Sequence, residues 1–397
     1  MAKPLQILVL LRNLALGVMA PVLSLTLLAH GATLGTLSLL MAVYSATVIA
    51  AEFPSGVFAD LAGRKNAFLL STVLQVVSYA LLLLARTAPV LALAMVANGL
   101  GRAFASGSID ALAIDQAGEA ALAKVTARLS MLESIGLALG ALLGGVLAGV
   151  GERYTANLTC NLGLYALLFG ITLLAVREAP GTACGTVPRR ERLPAQVRYS
   201  VALMRRRGLP RVLFGLALAT GFALLAVETY WQPALEAFRP PAWSFGVVSF
   251  GSFFCVAVGS HLAERLLRRR EGAGVVWLLL LKALLGGLLC LLAVPGQAGG
   301  FIALYGLLYG AVGCGGVVEN TLLNRITPSA QRASVLSLLS LTVQIGGLAA
   351  SLCGYGIRAY GGYATLWRIA GGLLLAGAGA AFLYRRSKVS GRDEAAV

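Results

Sequence analysis

Ionisable side chains inside long apolar stretches are the residues of this 397-residue chain best suited to do chemistry. Glu52, Arg102 and Glu133 each lie in a different stretch, at a depth of about 6 to 12 Å from its inner end, counting 1.5 Å per residue. A charge in an apolar phase is costly, so such groups are expected to pair with one another or to bind a ligand. If an arginine lies between two carboxylates, protonation of one carboxylate would leave the arginine free to re-pair during a conformational change. A static ion-pair brace between helices is the alternative.

The elements that position these charges are twelve apolar stretches, predicted to run from 7 to 28 for the first and from 363 to 384 for the last. A helix needs about 20 apolar residues to cross a bilayer, because lipid offers no partner for backbone N–H and C=O groups. The sequence therefore predicts an all-α integral membrane protein with twelve transmembrane helices.

Composition excludes a soluble domain. The chain is 58% apolar and 12% charged, with a mean hydropathy of +0.83. The net charge of +16 does not indicate a nucleic-acid partner, because the basic residues lie at the ends of apolar stretches. The six cysteines have no paired spacing and are expected to be small apolar residues without a metal. The first stretch has no clear cleavage site, so we expect it to be a retained helix.

Lysine and arginine near helix ends predict the orientation, because basic residues are retained in the cytoplasm. With the N-terminus inside, nearly all basic residues outside the spans fall on the cytoplasmic side, and Arg12, near the start of the first span, is counted with them. The predicted outer connections contain only Arg86, Arg153, Arg239, Arg358 and Arg368. We expect a multi-pass protein of the cytoplasmic (inner) membrane with both termini in the cytoplasm.

The chain divides into an N-terminal six-helix bundle (1–176), a cytoplasmic linker (177–210), a C-terminal six-helix bundle (211–384) and a cytoplasmic tail (385–397). The linker is rich in Arg, Pro and Gly. Within it, Leu193 to Met204 has helical spacing and is followed by three arginines. Either an amphipathic helix on the inner membrane surface or a solvated basic linker fits this pattern.

The connection between spans 2 and 3 contains Gly56-x-x-x-Asp60-x-x-Gly63-Arg64-Lys65. In a twelve-span chain this segment resembles the signature loop of the major facilitator superfamily. A degraded copy, with Gly259, Glu264 and Arg265, follows span 8 at the matching position of the second half.

The resemblance implies the major facilitator fold, with two pseudo-symmetric six-helix bundles. It also implies that Gly56, Asp60, Gly63, Arg64 and Lys65 form a conformational latch, with Asp60 near the start of span 11. A tight turn with charges that only set orientation is the alternative. The segment from Ser106 to Asp115, which contains Asp110, resembles prokaryotic drug and metabolite exporters, and Asp110 joins Glu52, Arg102 and Glu133 as a candidate for proton coupling.

Span 5 contains four closely spaced glycines that are similar to the family's antiporter motif. Ala141 stands where that motif usually has proline, which removes an expected kink. The same glycines could instead form a face for helix packing. They are Gly136, Gly140, Gly144 and Gly145.

In the resembling family, spans 1, 4, 7 and 10 line the central cavity. This directs attention to Glu228, Tyr230 and Trp231 in span 7 and to Glu319 and Asn320 in span 10. The carboxylates could attract a cation or exchange a proton, and the aromatic rings could stack on a ligand. The rings could equally be interfacial anchors. Lys282 in span 9 is expected to snorkel inward.

The sequence therefore predicts a secondary active transporter that works by alternating access. It contains no Gly-x-x-x-x-Gly-Lys-Ser/Thr motif, so an ion gradient, with protons favoured, would supply the energy and no cofactor is expected. Export of a hydrophobic or cationic small molecule is the first hypothesis. Proton-coupled uptake of a nutrient or metabolite is the second, and a transport-dead sensor is the third.

No enzyme is expected, because the two histidines have no evident catalytic partners. We expect a monomer whose partners are a small-molecule substrate and membrane lipid.

Overall fold

The computed structural model describes residues 3–106, 108–117, 122–178, 201–206, 208–269, 273–328, 331–356 and 362–393. These residues form helices joined by short connections, and no strand occurs among them. The prediction of an all-α chain is confirmed. Most of the predicted amphipathic stretch of the linker lies outside the described residues.

The helices of the first half are separated by short breaks. They are α1 (Lys3–Met19), α2 (Leu23–Ala29), α3 (Leu34–Ala62), α4 (Arg64–Leu84), α5 (Ala88–Ala105), α6 (Ile109–Ala117), α7 (Leu122–Ala148) and α8 (Thr155–Ala175). Helices α5 and α6 together make the fourth span, Ala88–Ile114.

The second half repeats this pattern with longer helices. They are α9 (Leu209–Glu236), α10 (Trp243–Arg269), α11 (Gly274–Leu292), α12 (Ala298–Ile326), α13 (Arg332–Gly356) and α14 (Gly362–Asp393). Helix α14 continues past residue 384, where the tail was predicted to begin.

Eleven helices of the described chain are long and apolar enough to span a membrane, and the bent pair α1 and α2 supplies a twelfth. Large apolar side chains such as Leu61, Leu84 and Leu174 are exposed on these helices. A soluble protein would not expose so much apolar surface along every helix, whereas lipid covers it without cost. The multi-pass membrane protein predicted from composition is confirmed.

The first span is broken, whereas the sequence predicted a continuous helix from 7 to 28. Helices α1 and α2 meet at 51°, with Pro21 in the break. Proline lacks the N–H that would bond to the carbonyl four residues earlier, and its ring crowds that carbonyl. The side chain of Gln232 from α9 occupies the break: its Oε1 accepts from the N–H of Ser24 at 2.8 Å, and its Nε2 donates to the carbonyl of Ala20 at 2.7 Å.

Small residues allow α7 to pack directly on the backbone of α1. A Cβ atom added at Gly136, Gly140 or Gly144 would collide with the carbonyls of Leu10, Leu14 and Val18, respectively. Only glycine permits this approach, because backbones in membrane helices come close where side chains are absent. In the second half, glycines join α9 and α13 in the same way, through Gly221 against Val343 and Gly346 against Leu218.

The chain forms two compact units whose boundary differs from the predicted bundles. The first unit contains Met1–Val187 and Thr229–Gly251, and the second contains Pro188–Glu228 and Ser252–Val397. The end of α9 and the beginning of α10 thus belong with the first half. Gly246 of α10 packs against Gly145 and Ala141 of α7, and Gln232 bonds to the break in the first span, which explains this assignment.

Candidate functional site

A cavity of about 440 Å³ in the first unit collects the charges of spans 1, 4 and 5. Its lining includes polar and apolar side chains from α1, α4, α5, α6, α7 and α8. Four of the lining residues are charged, namely Arg12, Arg102, Asp110 and Glu133. Three of them were predicted as coupling candidates, and the structure places them around one space.

Arg12 of α1 is the centre of this arrangement. Its Nη1 donates to Oδ2 of Asp110 at 2.9 Å, and its Nη2 lies 3.4 Å from Oδ1 of the same carboxylate. Nη2 also donates to Oε1 of Glu133 at 3.2 Å. The guanidinium has five N–H donors in a planar fork, which allows it to bond to two carboxylates at once. The side chain of Arg12 is 11% exposed, against 26% for Asp110 and 36% for Glu133.

Arg12 was predicted to be one of the cytoplasmic charges that set orientation, although it lies within the predicted span from 7 to 28. The signal that identifies it is its depth, because an ionisable residue inside a span is a candidate for function. The pairing itself was not visible, since the two carboxylates lie 98 and 121 residues away in the chain.

Arg102 and Glu52 are the remaining charged candidates at or near this cavity. Arg102 is exposed and lines the cavity, so it is not held inside the Arg12 cluster. Glu52 is also exposed, and its Oε1 accepts from Oγ of Ser106, another lining residue, at 3.2 Å. The cavity lining therefore holds two arginines and two carboxylates, and the excess carboxylate is local to the cluster in which Arg12 bonds to both Asp110 and Glu133.

The excess carboxylate gives the cavity a defined chemistry. A low-dielectric site does not tolerate a net charge, and a neighbouring carboxylate disfavours ionisation of its partner. A proton or a positively charged ligand can therefore neutralise the cluster.

The signature loop is tied to the end of span 6 by a residue that sequence analysis missed. The carboxylate of Glu178 accepts from the backbone N–H groups of Arg64 at 3.0 Å and Lys65 at 2.9 Å, and so caps the first turn of α4. In return, Nζ of Lys65 donates to the carbonyls of Leu173 at 3.0 Å and Val176 at 2.7 Å, at the C-terminal end of α8. Each helix end thus receives the charge that its dipole favours.

Gly63 permits this contact. Its φ of 92° is strained for any residue with a side chain, and a Cβ would lie 2.8 Å from a carboxylate oxygen of Glu178. Asp60 is half-buried in the last turn of α3, and Gly56 of the same helix has open space beside it. The role of these residues as a latch between the two halves stays a prediction.

In the second unit, Lys282 does not snorkel towards the membrane surface, contrary to expectation. Its Nζ donates to Oε2 of Glu319 at 2.6 Å and to Oγ1 of Thr220 at 2.7 Å. The two charged residues are 3% and 7% exposed. They line a second cavity of about 190 Å³ together with Thr220 and Asn320. A strong partner within reach keeps the ammonium inside, because a paired charge costs less to bury than a free one.

Glu228, the other carboxylate predicted to bind substrate, is exposed and accepts a hydrogen bond from the hydroxyl of Tyr309. Tyr309 begins a row of rings on α12, with Tyr305 at 4.7 Å between ring centroids and Phe301 6.2 Å beyond Tyr305. The row continues to Trp367 of α14, 6.1 Å from Phe301, and to Tyr363, 5.1 Å from Trp367. A carboxylate beside aromatic rings is suited to an amphipathic cation.

Tyr230 and Trp231 have a different environment from Glu228. Both are buried, at 4% and 1% exposure. The hydroxyl of Tyr230 donates to the carbonyl of Leu34 at 3.1 Å, and the ring of Trp231 lies 6.2 Å from that of Phe245. In this conformation they pack inside the first unit and line neither of the two cavities.

The fold and these charged cavities define a multi-helix membrane transporter. A family model described as "Major Facilitator Superfamily" matches residues 5–318. The chain therefore belongs to the Major Facilitator Superfamily, which confirms the resemblance of the signature loop. This membership makes it a transporter and not an enzyme.

Solved structures agree on the fold. The nucleoside transporter NupG is 15% identical, with 96% of this chain and 98% of that chain covered and a TM-score of 0.78. A POT family transporter in complex with 5-aminolevulinic acid is 14% identical, with 96% and 95% covered and a TM-score of 0.73. A bacterial homolog of the human lysosomal transporter Spinster is 15% identical, with 94% and 92% covered and a TM-score of 0.70. No curated protein matches the chain.

Proposed function

We propose that this transporter is a proton-coupled antiporter that exports an amphipathic organic cation. The observation that carries the proposal is Arg12, which two carboxylates share at the wall of a 440 Å³ cavity. Within this cluster there is one carboxylate more than Arg12 alone neutralises, and Arg102 stands apart from it on the same cavity wall. A proton and a cation can each supply the missing charge, so the two compete for one site.

Competition for one site produces exchange. A bound proton lowers the affinity for a cation by removing the charge that attracts it, and a bound cation favours release of the proton by the same free energy. In alternating access the site opens to each side in turn, so a proton entering from outside is exchanged for a cation from the cytoplasm. The gradient then drives the cation out of the cell.

Asp110 and Glu133 have unequal roles in this scheme. Asp110 makes two contacts with Arg12 and is the better neutralised of the pair, whereas Glu133 makes one contact and is the more exposed. We assign the transported proton to Glu133. Protonated Glu133 leaves Arg12 bonded to Asp110 alone, and the pair is then neutral.

Glu228 supports the choice of substrate. It is an exposed carboxylate of the second half that would attract the charged part of an amphipathic cation, whereas the rings beside it are buried in this conformation. Glu319 does not contribute an attracting charge of its own, because Lys282 neutralises it.

Proton-coupled uptake is the second candidate, favoured by the likeness in fold to the nucleoside transporter NupG. The direction of proton movement distinguishes antiport from symport. Purified protein is reconstituted in liposomes that contain a pH-sensitive dye, and tetraphenylphosphonium is added outside. An antiporter releases protons and makes the lumen alkaline, whereas a symporter acidifies it.

The Glu133→Gln variant should lose the pH change and uphill accumulation while it keeps downhill exchange of the cation. Glu52→Gln tests the other exposed carboxylate in the same assay. Glu264→Gln is the matched control, because Glu264 is an exposed acid that contacts only His261 and Arg268 of its own helix among the pairs described. Full proton-driven accumulation by both cavity variants would refute the assignment of coupling to this site.

The orientation belongs to the same proposal. We place both termini in the cytoplasm and the protein in the cytoplasmic membrane as a monomer, on the distribution of basic residues. Labelling of single cysteines introduced at positions 3 and 153 tests this placement, because only position 153 should react with an impermeant reagent from outside.

A further inference from the structure

The buried pair of the second unit has no part in the proton exchange described above, yet it is the most enclosed charged group of the molecule's described cavities. Lys282 comes from α11, Glu319 from α12 and Thr220 from α9. The 190 Å³ cavity reaches all three, and apolar residues such as Leu224, Leu285 and Val343 form much of the remaining wall.

One atom of this cluster lacks a partner. Oε2 of Glu319 bonds to Lys282, but Oε1 is buried and has no hydrogen-bond partner among the described residues. A carboxylate oxygen removed from water without a donor carries the full cost of its lost hydration. Glu319 lines the cavity of about 190 Å³, so a group bound there lies next to this carboxylate and can supply the donor once Oε1 turns towards it.

The net charge of the cluster determines which kind of hydrogen-bond donor can bind at Oε1 of Glu319. Lys282 and Glu319 sum to zero, and they are the only titratable side chains among the described lining residues. An ammonium at Oε1 would leave two positive charges around one carboxylate in a low-dielectric space. A hydroxyl or an amide N–H supplies the same hydrogen bond without that penalty.

We propose that the Lys282–Glu319–Thr220 cluster binds an uncharged hydrogen-bond donor of the substrate, a hydroxyl or an amide N–H, at Oε1 of Glu319. Lys282 and Thr220 are positioning residues, which hold the carboxylate of Glu319 in place. This inference deepens the proposed function, because it names the substrate as an organic cation that also carries a neutral donor.

A matched pair of probes tests the site. The hydroxyl probe is 6-hydroxyhexyl-triphenylphosphonium, and the methyl probe is heptyl-triphenylphosphonium, which differs by a methyl group in place of the hydroxyl. KM for each is measured in proteoliposomes, and thermal stabilisation of the purified protein by each probe is measured in detergent. We expect the hydroxyl probe to have a KM about tenfold lower relative to its partition into lipid, equal to about 1.4 kcal/mol for one charge-assisted hydrogen bond.

Variants separate recognition from folding. Glu319→Leu alone would leave Lys282 unpaired and is expected to unfold, so it is combined with Lys282→Met, which replaces the pair by apolar side chains of similar size. The double variant should keep a cooperative melting transition and lose the preference for the hydroxyl probe. Thr220→Val removes one of the two acceptors of Lys282. It should reduce the preference for the hydroxyl probe about threefold, which is half of the tenfold preference on a logarithmic scale.

Rescue by a conservative variant distinguishes a positioning role from a structural one. With Lys282→Met alone, nothing holds the carboxylate of Glu319 in place, so the preference for the hydroxyl probe should be lost. Lys282→Arg should restore that preference. A merely structural lysine would alter stability in these variants and leave the ratio of the two KM values unchanged.

The outcomes separate this site from the proposed function. If both probes are transported without a preference for the hydroxyl probe, the site is overturned, and Oε1 binds no more than a water molecule. The proposal of antiport is then unaffected. Selective stabilisation by the hydroxyl probe without flux supports the site and overturns cation export. Neither flux nor selective stabilisation overturns both.

Discussion

Glu178 caps the start of α4 and Lys65 caps the end of α8, and these reciprocal contacts provide the most direct test of the structure. Glu178→Ala removes two hydrogen bonds to the N-terminus of α4, from the N–H groups of Arg64 and Lys65. Loss of a side-chain cap costs about 0.5 to 2 kcal/mol. Loss of a carboxylate at the positive end of a helix dipole costs about 0.3 to 1 kcal/mol more. The contact is half-buried, so we expect a total of about 1 to 3 kcal/mol.

The assay is thermal unfolding of the purified protein in detergent, followed by fluorescence. For a unit of this size the loss corresponds to a decrease in Tm of about 2 to 8 °C. Glu178→Gln keeps one acceptor oxygen and should lose about half as much. The matched control, Glu264→Gln, removes an exposed pair between neighbouring turns and should change stability by less than about 0.5 kcal/mol.

A double-mutant cycle with Lys65→Met measures whether the two caps act together. Both residues join α4 to the end of α8, so the effects should not add, with a coupling of about 0.5 kcal/mol or more. Equal Tm values for Glu178→Ala and the wild-type protein would show that the carboxylate does not hold the signature loop.

Three further predictions concern the latch, the packing and the substrate. Asp60→Asn should keep the fold and shift cysteine accessibility on the two faces of the membrane, because it removes the charge of the latch; unchanged labelling and flux would exclude a latch. Gly140→Leu should lower stability by at least about 1 to 3 kcal/mol, since α7 touches the backbone of α1 there, whereas Gly163→Leu, which faces open space, should be neutral in a melting assay. Glu228→Gln should reduce resistance of cells to lipophilic cations severalfold at equal expression, and Tyr309→Phe should reduce it less; resistance equal to wild type in both would remove this carboxylate from the substrate site.

The spans were predictable because membrane crossing is a local property. Each helix satisfies its own backbone, so about 20 apolar residues identify it without knowledge of its neighbours. The signature loop was recognisable for a similar reason, since its glycines and charges lie within ten residues. Even the break in the first span had a visible cause in Pro21, although a continuous helix was predicted.

The pairing of charges depends on contacts between distant helices and was not predictable. Arg12 and Lys282 looked like residues that serve orientation or reach the surface, and only the packing of α1 and α11 brings each to its carboxylates. The burial of Trp231 was equally hard to predict from the sequence, because an aromatic residue near a helix end can lie in a cavity, at the membrane interface or in a core. Glu178 lay in a basic linker, and nothing near it in sequence indicated the turn that it caps.

The side chain of Gln232 stands in the place of a peptide group. In an unbroken helix the N–H of Ser24 would bond to the carbonyl of Ala20, and the amide of Gln232 instead lies between these two atoms and satisfies both. If α9 withdraws, the separated donor and acceptor must find water or each other, and the second choice requires the 51° bend to straighten. Pro21 opens the first span, and the amide of Gln232, 208 positions away in the chain, satisfies the two backbone groups that the break separates. Movement of this part of α9 would therefore leave those two groups without their partner.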